Sequence, residues 1–360
     1  MELQSTIKDF LEQGTIIPAH PLALNANRQL DEERQRRLTR YYMAAGTGGV
    51  AVGVHTTQFE IRKPEINLLE TVLRLAAEEI DNAQLNRPFV KVAGIVGPTE
   101  QATKEAALAV KYGYHIALVS LGGLKDRSEA ELIQHVRAVA DIIPVFGFYL
   151  QPAVGGRILT YNFWKEFAEI ENVHAIKIAA FNRYQTLDVV RAVCGSSRKD
   201  EIALYTGNDD NIIADLITPY RFNINGQQVE KRFVGGLLGH WAVWTRTAVT
   251  LLNEVKQSIA SGNPNMQHLL SKGIEVTDMN AVIFDAANSF HGCIPGIHEI
   301  LRRQGLLEGR WCLNLHEELS RGQMDEIDRV YKMYSHFTDD SFVKEFLERD
   351  EKQARATALL

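Results

Sequence analysis

The 360 residues are 45 % hydrophobic and 23 % charged, with a formal net charge of −6. That balance belongs to soluble globular proteins with room for a large core, and it argues against nucleic acid or an anionic membrane as the main partner. No apolar stretch is long enough to span a bilayer and no basic-then-apolar leader opens the chain; Cys194, Cys293 and Cys312 lack metal-type spacing, so a cytoplasmic protein with free thiols is expected.

Strands and helices alternate along the chain. Thr15–His20 reads as a first strand, followed by a helix opening at Asp31 and running towards Ala45. Gly49–His55 is a second strand, and its helix has Pro64 in the first turn and Ile66, Leu69, Val72, Leu73, Ala76 and Ile80 on one face. Phe89–Ile95 precedes a helix over Thr99–Tyr112, and His115–Ser120 precedes one opening with the capping box Ser128-x-x-Glu131. Pro144–Tyr149 is a fifth strand, with a helix near Tyr161–Ile170, and Val173–Ala180 a sixth, with a helix over Tyr184–Val193. Ile202–Thr206 is a seventh strand, with a short helix over Ile212–Ile217, and Phe233–Leu238 is the eighth.

Eight apolar strands interleaved with helices predict an α/β fold of the (β/α)8 TIM-barrel type, which explains the count better than a doubly wound open sheet. The barrel is expected over residues 14–262, with an Asn225-Gly226 hairpin inserted near 220–231. A helical region over 263–360 is expected to pack on its outside, and His291, Cys293 and His298 there read as structural. Trp241 and Trp244 read as helix packing.

In such a barrel the active site lies at the C-terminal ends of the strands. The sixth strand, Val173-His174-Ala175-Ile176-Lys177-Ile178-Ala179-Ala180, sets a lysine in an apolar run. Burial disfavours an ammonium, and the neutral amine that results is a nucleophile able to form a Schiff base. Tyr149 closes the neighbouring fifth strand, close enough in principle to pass a proton to a carbinolamine. His20, His55 and His240 end strands one, two and eight. They could converge on a polar substrate; no metal is expected, because Schiff-base chemistry needs none. Gly46-Thr47-Gly48-Gly49-Val50-Ala51 fits G-x-G-x-x-A but precedes a strand instead of joining strand to helix, so no dinucleotide cofactor is expected. Gly235, Gly236 and Gly239 fall where many barrels hold phosphate, or serve only close packing of the last strand.

Pro18-Ala19-His20-Pro21-Leu22, Gly49-x7-Thr56-Thr57, Ala93-Gly94-Ile95-Val96-Gly97, Tyr149-x2-Pro152-x2-Gly155, Ala175-Ile176-Lys177 and Thr206-Gly207-Asn208-Asp209 occur in that order. Together they resemble the motifs of the dihydrodipicolinate synthase and N-acetylneuraminate lyase superfamily, over nearly the whole chain. The resemblance implies a class I aldolase acting on a 2-keto acid, usually pyruvate, and an aldehyde. Lys177 is then the Schiff-base lysine, Tyr149 the acid/base, and Thr56 and Thr57 the carboxylate holders, with Gly207 and Asn208 also at the substrate. A homo-oligomer, dimer or tetramer, is expected on the same grounds.

The sequence also departs from that pattern. His55-Thr56-Thr57-Gln58-Phe59 replaces a Gly-Thr-Thr-Gly-Glu turn, Leu121-Gly122-Gly123 replaces a Pro-Tyr-Tyr relay, and Ile178 follows the lysine in place of glutamate. Val154 stands where the synthases carry their aldehyde-gripping arginine, with Arg157 three residues on as a substitute to examine. A true dihydrodipicolinate synthase is therefore not expected. A keto-sugar-acid dehydratase using the same lysine and a non-catalytic keto-acid-binding barrel are the alternatives.

Overall fold

A computed structural model describes residues 1–262 and 265–357. Helix α1 (Ser5–Gln13) leads into β1 (Ile16–Pro18), α2 (Glu32–Ala45), β2 (Gly49–Val52), α3 (Leu69–Asn82), β3 (Val90–Ile95), α4 (Thr99–Lys111) and β4 (Ile116–Ser120). Then come α5 (Glu129–Ala140), β5 (Val145–Leu150), α6 (Tyr161–Ala168), β6 (Val173–Ala179), α7 (Arg183–Cys194), β7 (Ala203–Thr206) and α8 (Ile212–Ile217). A hairpin, β8 (Tyr220–Ile224) and β9 (Gln227–Lys231), precedes β10 (Phe233–Leu238) and the helices α9 (Thr245–Ala260), α10 (Met266–Ile283), α11 (Cys293–Arg303), α12 (Gln323–Met333) and α13 (Asp340–Thr357).

Eight of these strands form one parallel sheet in the order β1-β10-β7-β6-β5-β4-β3-β2. The ends meet where Ala19 bridges Ala51 and the His20 amide donates to the Ala51 carbonyl at 2.8 Å. The expected (β/α)8 barrel is therefore present, and the hairpin turns at Asn225-Gly226 as expected. The expected boundary beside residue 263 and the last residues, 358–360, lie outside the described residues.

Both faces of each strand are apolar because each is covered. Outward residues such as Ile176 and Ile178 pack under the helices, while Val90, Val92, Phe146, Phe148, Ala175 and Tyr205 fill the barrel. Helix α1 closes the N-terminal end with Ile7 and Leu11, where the Tyr205 hydroxyl donates to the Leu11 carbonyl at 2.9 Å. Local signals act as read: Asp31 caps α2 through the Arg34 amide, and Ser128 and Glu131 form their reciprocal cap on α5. Pro64 does not open a helix; a short 3-10 turn occupies Phe59–Arg62 and α3 starts later, at Leu69. The tail also departs from expectation, since Phe284, Phe290, Cys293 and Ile297 reach over the barrel mouth instead of staying outside.

Candidate functional site

A cavity of about 650 Å³, counted to its opening, sits at the C-terminal ends of the strands. Lys177 enters it from β6. What turns the lysine inward is a one-residue register shift: Val145 pairs with Val173, but Phe146 pairs with Ala175. The extra residue, His174, moves every later side chain of β6 to the other face, so Ala175, Lys177 and Ala179 point into the barrel. Lys177 Nζ then lies 4.4 Å from the Phe148 ring centroid. Gly207 makes room for it, since a Cβ there would stand 2.5 Å from Lys177 Cε and 2.9 Å from the Ala179 Cβ.

The same shift parts Lys177 from Tyr149, which stays on the outer face of β5. Phe148 is the strand partner of Lys177, and Tyr149 pairs with the outward Ile178. Tyr149 is buried between β5 and α6 against Trp164, ring centroids 5.2 Å apart. Its hydroxyl accepts from the Leu159 amide at 3.3 Å and makes a long bond to the Leu159 carbonyl. The expected proton shuttle is not beside the lysine.

Asp209, after β7, is the group that does stand there. Its Oδ1 is buried with no hydrogen-bond partner, and Lys177 is its opposite charge. Burial raises the Asp209 carboxyl and lowers the Lys177 ammonium, while each charge works against the other's shift. The two form a linked pair with a proton to exchange near neutrality. Asp209 is the last residue of the Thr206-Gly207-Asn208-Asp209 motif, so its position at a strand end was the available signal.

Thr56 and His55 reach the cavity from β2, across the barrel. Thr56 Oγ1 is buried without a partner and is free to bind a ligand oxygen. The His55 imidazole is lowered to about 4 by burial and by the nearby Lys177 charge, so it is neutral in the working range. Thr57 is not at the cavity: its hydroxyl accepts from the Gly53 amide at 3.0 Å and donates to the His20 carbonyl at 2.7 Å, which fixes the turn presenting Thr56. Asn208 is likewise a support, accepting from the Phe181 amide at 3.0 Å and donating to Asp215 at 2.9 Å.

His20 and His240 also lie elsewhere. His20 points outward beneath α2, bonded to the Pro21 carbonyl at 2.8 Å and the Thr39 hydroxyl at 2.9 Å. His240 faces a separate small cavity with Trp241 and Trp244. The three imidazoles therefore do not converge, and among the described residues no group of three or more His, Cys, Asp or Glu could hold a metal. Arg157 turns away to donate to the Leu124 and Arg127 carbonyls, both at 2.9 Å, leaving Val154 at the cavity. Cys293, expected to be structural, lines it instead. Gly235 and Gly236 serve packing, since a Cβ on them would stand 2.3 Å from the Thr15 carbonyl oxygen and 2.8 Å from Trp241.

The buried imidazoles of His20, His240 and His298 carry a stability prediction. Burial lowers each to about 4 from an ordinary value of 6.5. Between those values the unfolded chain binds protons that the folded chain does not, so stability is complete above pH 6.5 and falls as pH drops towards 4. The loss at pH 5 should be on the order of 1–2 kcal/mol per imidazole. Thermal melts at pH 7.5 and pH 5 should show a clear fall in Tm; an unchanged Tm would contradict neutral burial of these rings.

The sequence profile of the dihydrodipicolinate synthetase family matches residues 12–218, more than half of the chain. N-acetylneuraminate lyase of Citrobacter koseri is 26 % identical over 205 residues, covering 56 % of this chain and 65 % of that enzyme. The enzyme of the same name from Salmonella typhi is 27 % identical over 52 % of this chain and 60 % of its own length. The match thus spans less than two thirds of these relatives. Among solved structures, dihydrodipicolinate synthase from Oceanobacillus iheyensis superposes with a TM-score of 0.73 at 16 % identity, over 91 % of this chain and 99 % of that one. N-acetylneuraminate lyase from Fusobacterium nucleatum gives 0.68 at 16 %, over 89 % and 99 %. At these identities the structural likeness concerns the fold.

Proposed function

The chain belongs to the dihydrodipicolinate synthetase family, and from that premise we propose a carbon–carbon lyase of the class I aldolase type, in which Lys177 forms a Schiff base with a 2-keto acid, pyruvate first among them. The observation that carries this reading is the Lys177–Asp209 pair inside the cavity at the C-terminal end of the barrel. The lyases among its relatives support the reaction class.

The chemistry follows from the positions. The neutral Lys177 amine adds to the ketone carbon of a 4-hydroxy-2-keto acid, and the protonated Asp209 carboxyl gives its proton to the carbinolamine hydroxyl, which leaves as water and yields an iminium. The Asp209 carboxylate takes the proton of the 4-hydroxyl; the C3–C4 bond breaks, its electron pair flows into the iminium to give an enamine, and the aldehyde leaves. Asp209 returns the proton to C3, and water hydrolyses the iminium to free the keto acid and the neutral amine, the released proton going back to the Asp209 carboxylate. A group whose affinity for protons is poised near neutrality suits both transfers. Thr56 Oγ1 and the first amides of its 3-10 turn, which the turn itself cannot pair, are the donors for the keto acid's carboxylate.

The test is borohydride reduction in the presence of pyruvate, read by intact mass. Wild type should gain one reduced pyruvate adduct and Lys177→Ala none. An adduct on both, or no adduct with any 2-keto acid tried, would remove the Schiff-base reading and leave the non-catalytic barrel.

A further inference from the structure

Resting on that reading, the cavity also says what kind of aldehyde the lysine adduct joins or releases. Among the described residues, Lys177 is the one cationic side chain lining the cavity. Arg157 is committed to two backbone carbonyls, and Val154 presents an isopropyl group where a charged acceptor would need a counter-ion. A carboxylate or phosphate on the aldehyde would face Asp209 with nothing to pair it. A sugar chain fares little better: apart from Lys177 and Asp209, which the reaction itself engages, only His55, Thr56 and Gln151 among the lining side chains of the described residues are polar and the others present carbon or sulfur, so most of its hydroxyls would be stripped of water without replacement partners.

The wall facing the mouth is aromatic, and it is held with some effort. Phe181 and Phe290 both have left-handed backbones, φ +50° and +66°, which bulky side chains rarely adopt. Their rings meet edge to face with centroids 5.9 Å apart. Each is held by a buried anchor. Asn208 accepts from the Phe181 amide at 3.0 Å. The Asp285 carbonyl accepts from the Phe290 amide at 3.0 Å, while the Asp285 carboxylate accepts from the Gly292 amide at 2.9 Å, from Asn288 Nδ2 at 2.6 Å and from the Ser320 hydroxyl. Phe284 and Ile297 extend the same wall from the C-terminal helices.

We propose that the second component is an uncharged aryl or alkyl aldehyde, seated against Phe181 and Phe290 while its carbonyl carbon faces the Lys177 adduct. Apolar burial supplies its binding, and the missing counter-ions and hydrogen bonds reject charged and polyhydroxylated aldehydes.

The experiment offers wild type pyruvate with benzaldehyde, hexanal, glyoxylate or mannosamine and follows aldol product by mass spectrometry. Benzaldehyde and hexanal should exceed the other two in kcat/KM by roughly 30-fold or more. Phe290→Ala should cut the benzaldehyde preference by about tenfold, and Phe290→Leu, which keeps bulk and fold, by less. A preference for glyoxylate or mannosamine overturns the proposal, as does an undiminished benzaldehyde preference in both variants. If wild type still takes up a pyruvate adduct under borohydride in those cases, the lysine reading stands and the substrate class alone falls. If it takes up none with any keto acid, both fall together.

Discussion

Lys177→Ala is expected to lose turnover by about 10⁴-fold or more, because no other group can take over the covalent step. Tyr149→Phe, by contrast, should lose less than about tenfold, since its hydroxyl bonds only the Leu159 backbone on the far side of the strand. Neither change should unfold the chain. Lys177 makes no ion pair at bonding distance, and truncating it removes a desolvated amine; Phe at 149 keeps the packing on Trp164. The measurement is keto acid release from the best aldol, with Tm recorded for each variant. A Tyr149→Phe enzyme that melts normally yet turns over 10³-fold more slowly would mean that this tyrosine reaches the reacting atoms, and the inward placement of Phe148 would have to be abandoned.

That contrast also marks where sequence reading ran out. The barrel was legible because eight covered strands leave an alternation that no other fold explains as well, and Lys177 because a cation in an apolar strand is conspicuous. Tyr149 was wrongly set beside Lys177 because side-chain direction in a strand depends on register, and one extra residue at His174 reverses the parity of β6 and sends Lys177 to the opposite face from Tyr149. Nothing in Val173-His174-Ala175 announces that shift. His20 and His240 were misplaced for a related reason: the end of a strand is readable, but the face on which its last side chain lands is not. The aromatic wall at Phe290 was beyond reach because it joins residue 181 to residue 290, and only tertiary packing brings them together.

Asp209→Asn should separate two steps that a lysine substitution destroys together. The Asp209 charge favours the Lys177 ammonium, so removing it lowers the lysine further, and the amine becomes nucleophilic at a lower pH than in wild type. The pH midpoint for borohydride-trappable adduct should therefore move down in Asp209→Asn. Bond cleavage behaves in the opposite way. An amide cannot accept the 4-hydroxyl proton or return one to C3, and loss of a general acid/base typically costs about 10²–10⁴-fold. The variant should form adduct readily at pH 6 and yet release aldehyde slowly, so that adduct accumulates during turnover. Isosteric replacement keeps the backbone contact from Asn280 Nδ2 to the residue 209 carbonyl, 2.7 Å long, so the β7 loop should hold its shape. A trapping midpoint that stays put or rises would show that Asp209 does not set the lysine's protonation. Unimpaired cleavage would move the acid/base role to another group lining the cavity, with the neutral His55 imidazole the next to substitute.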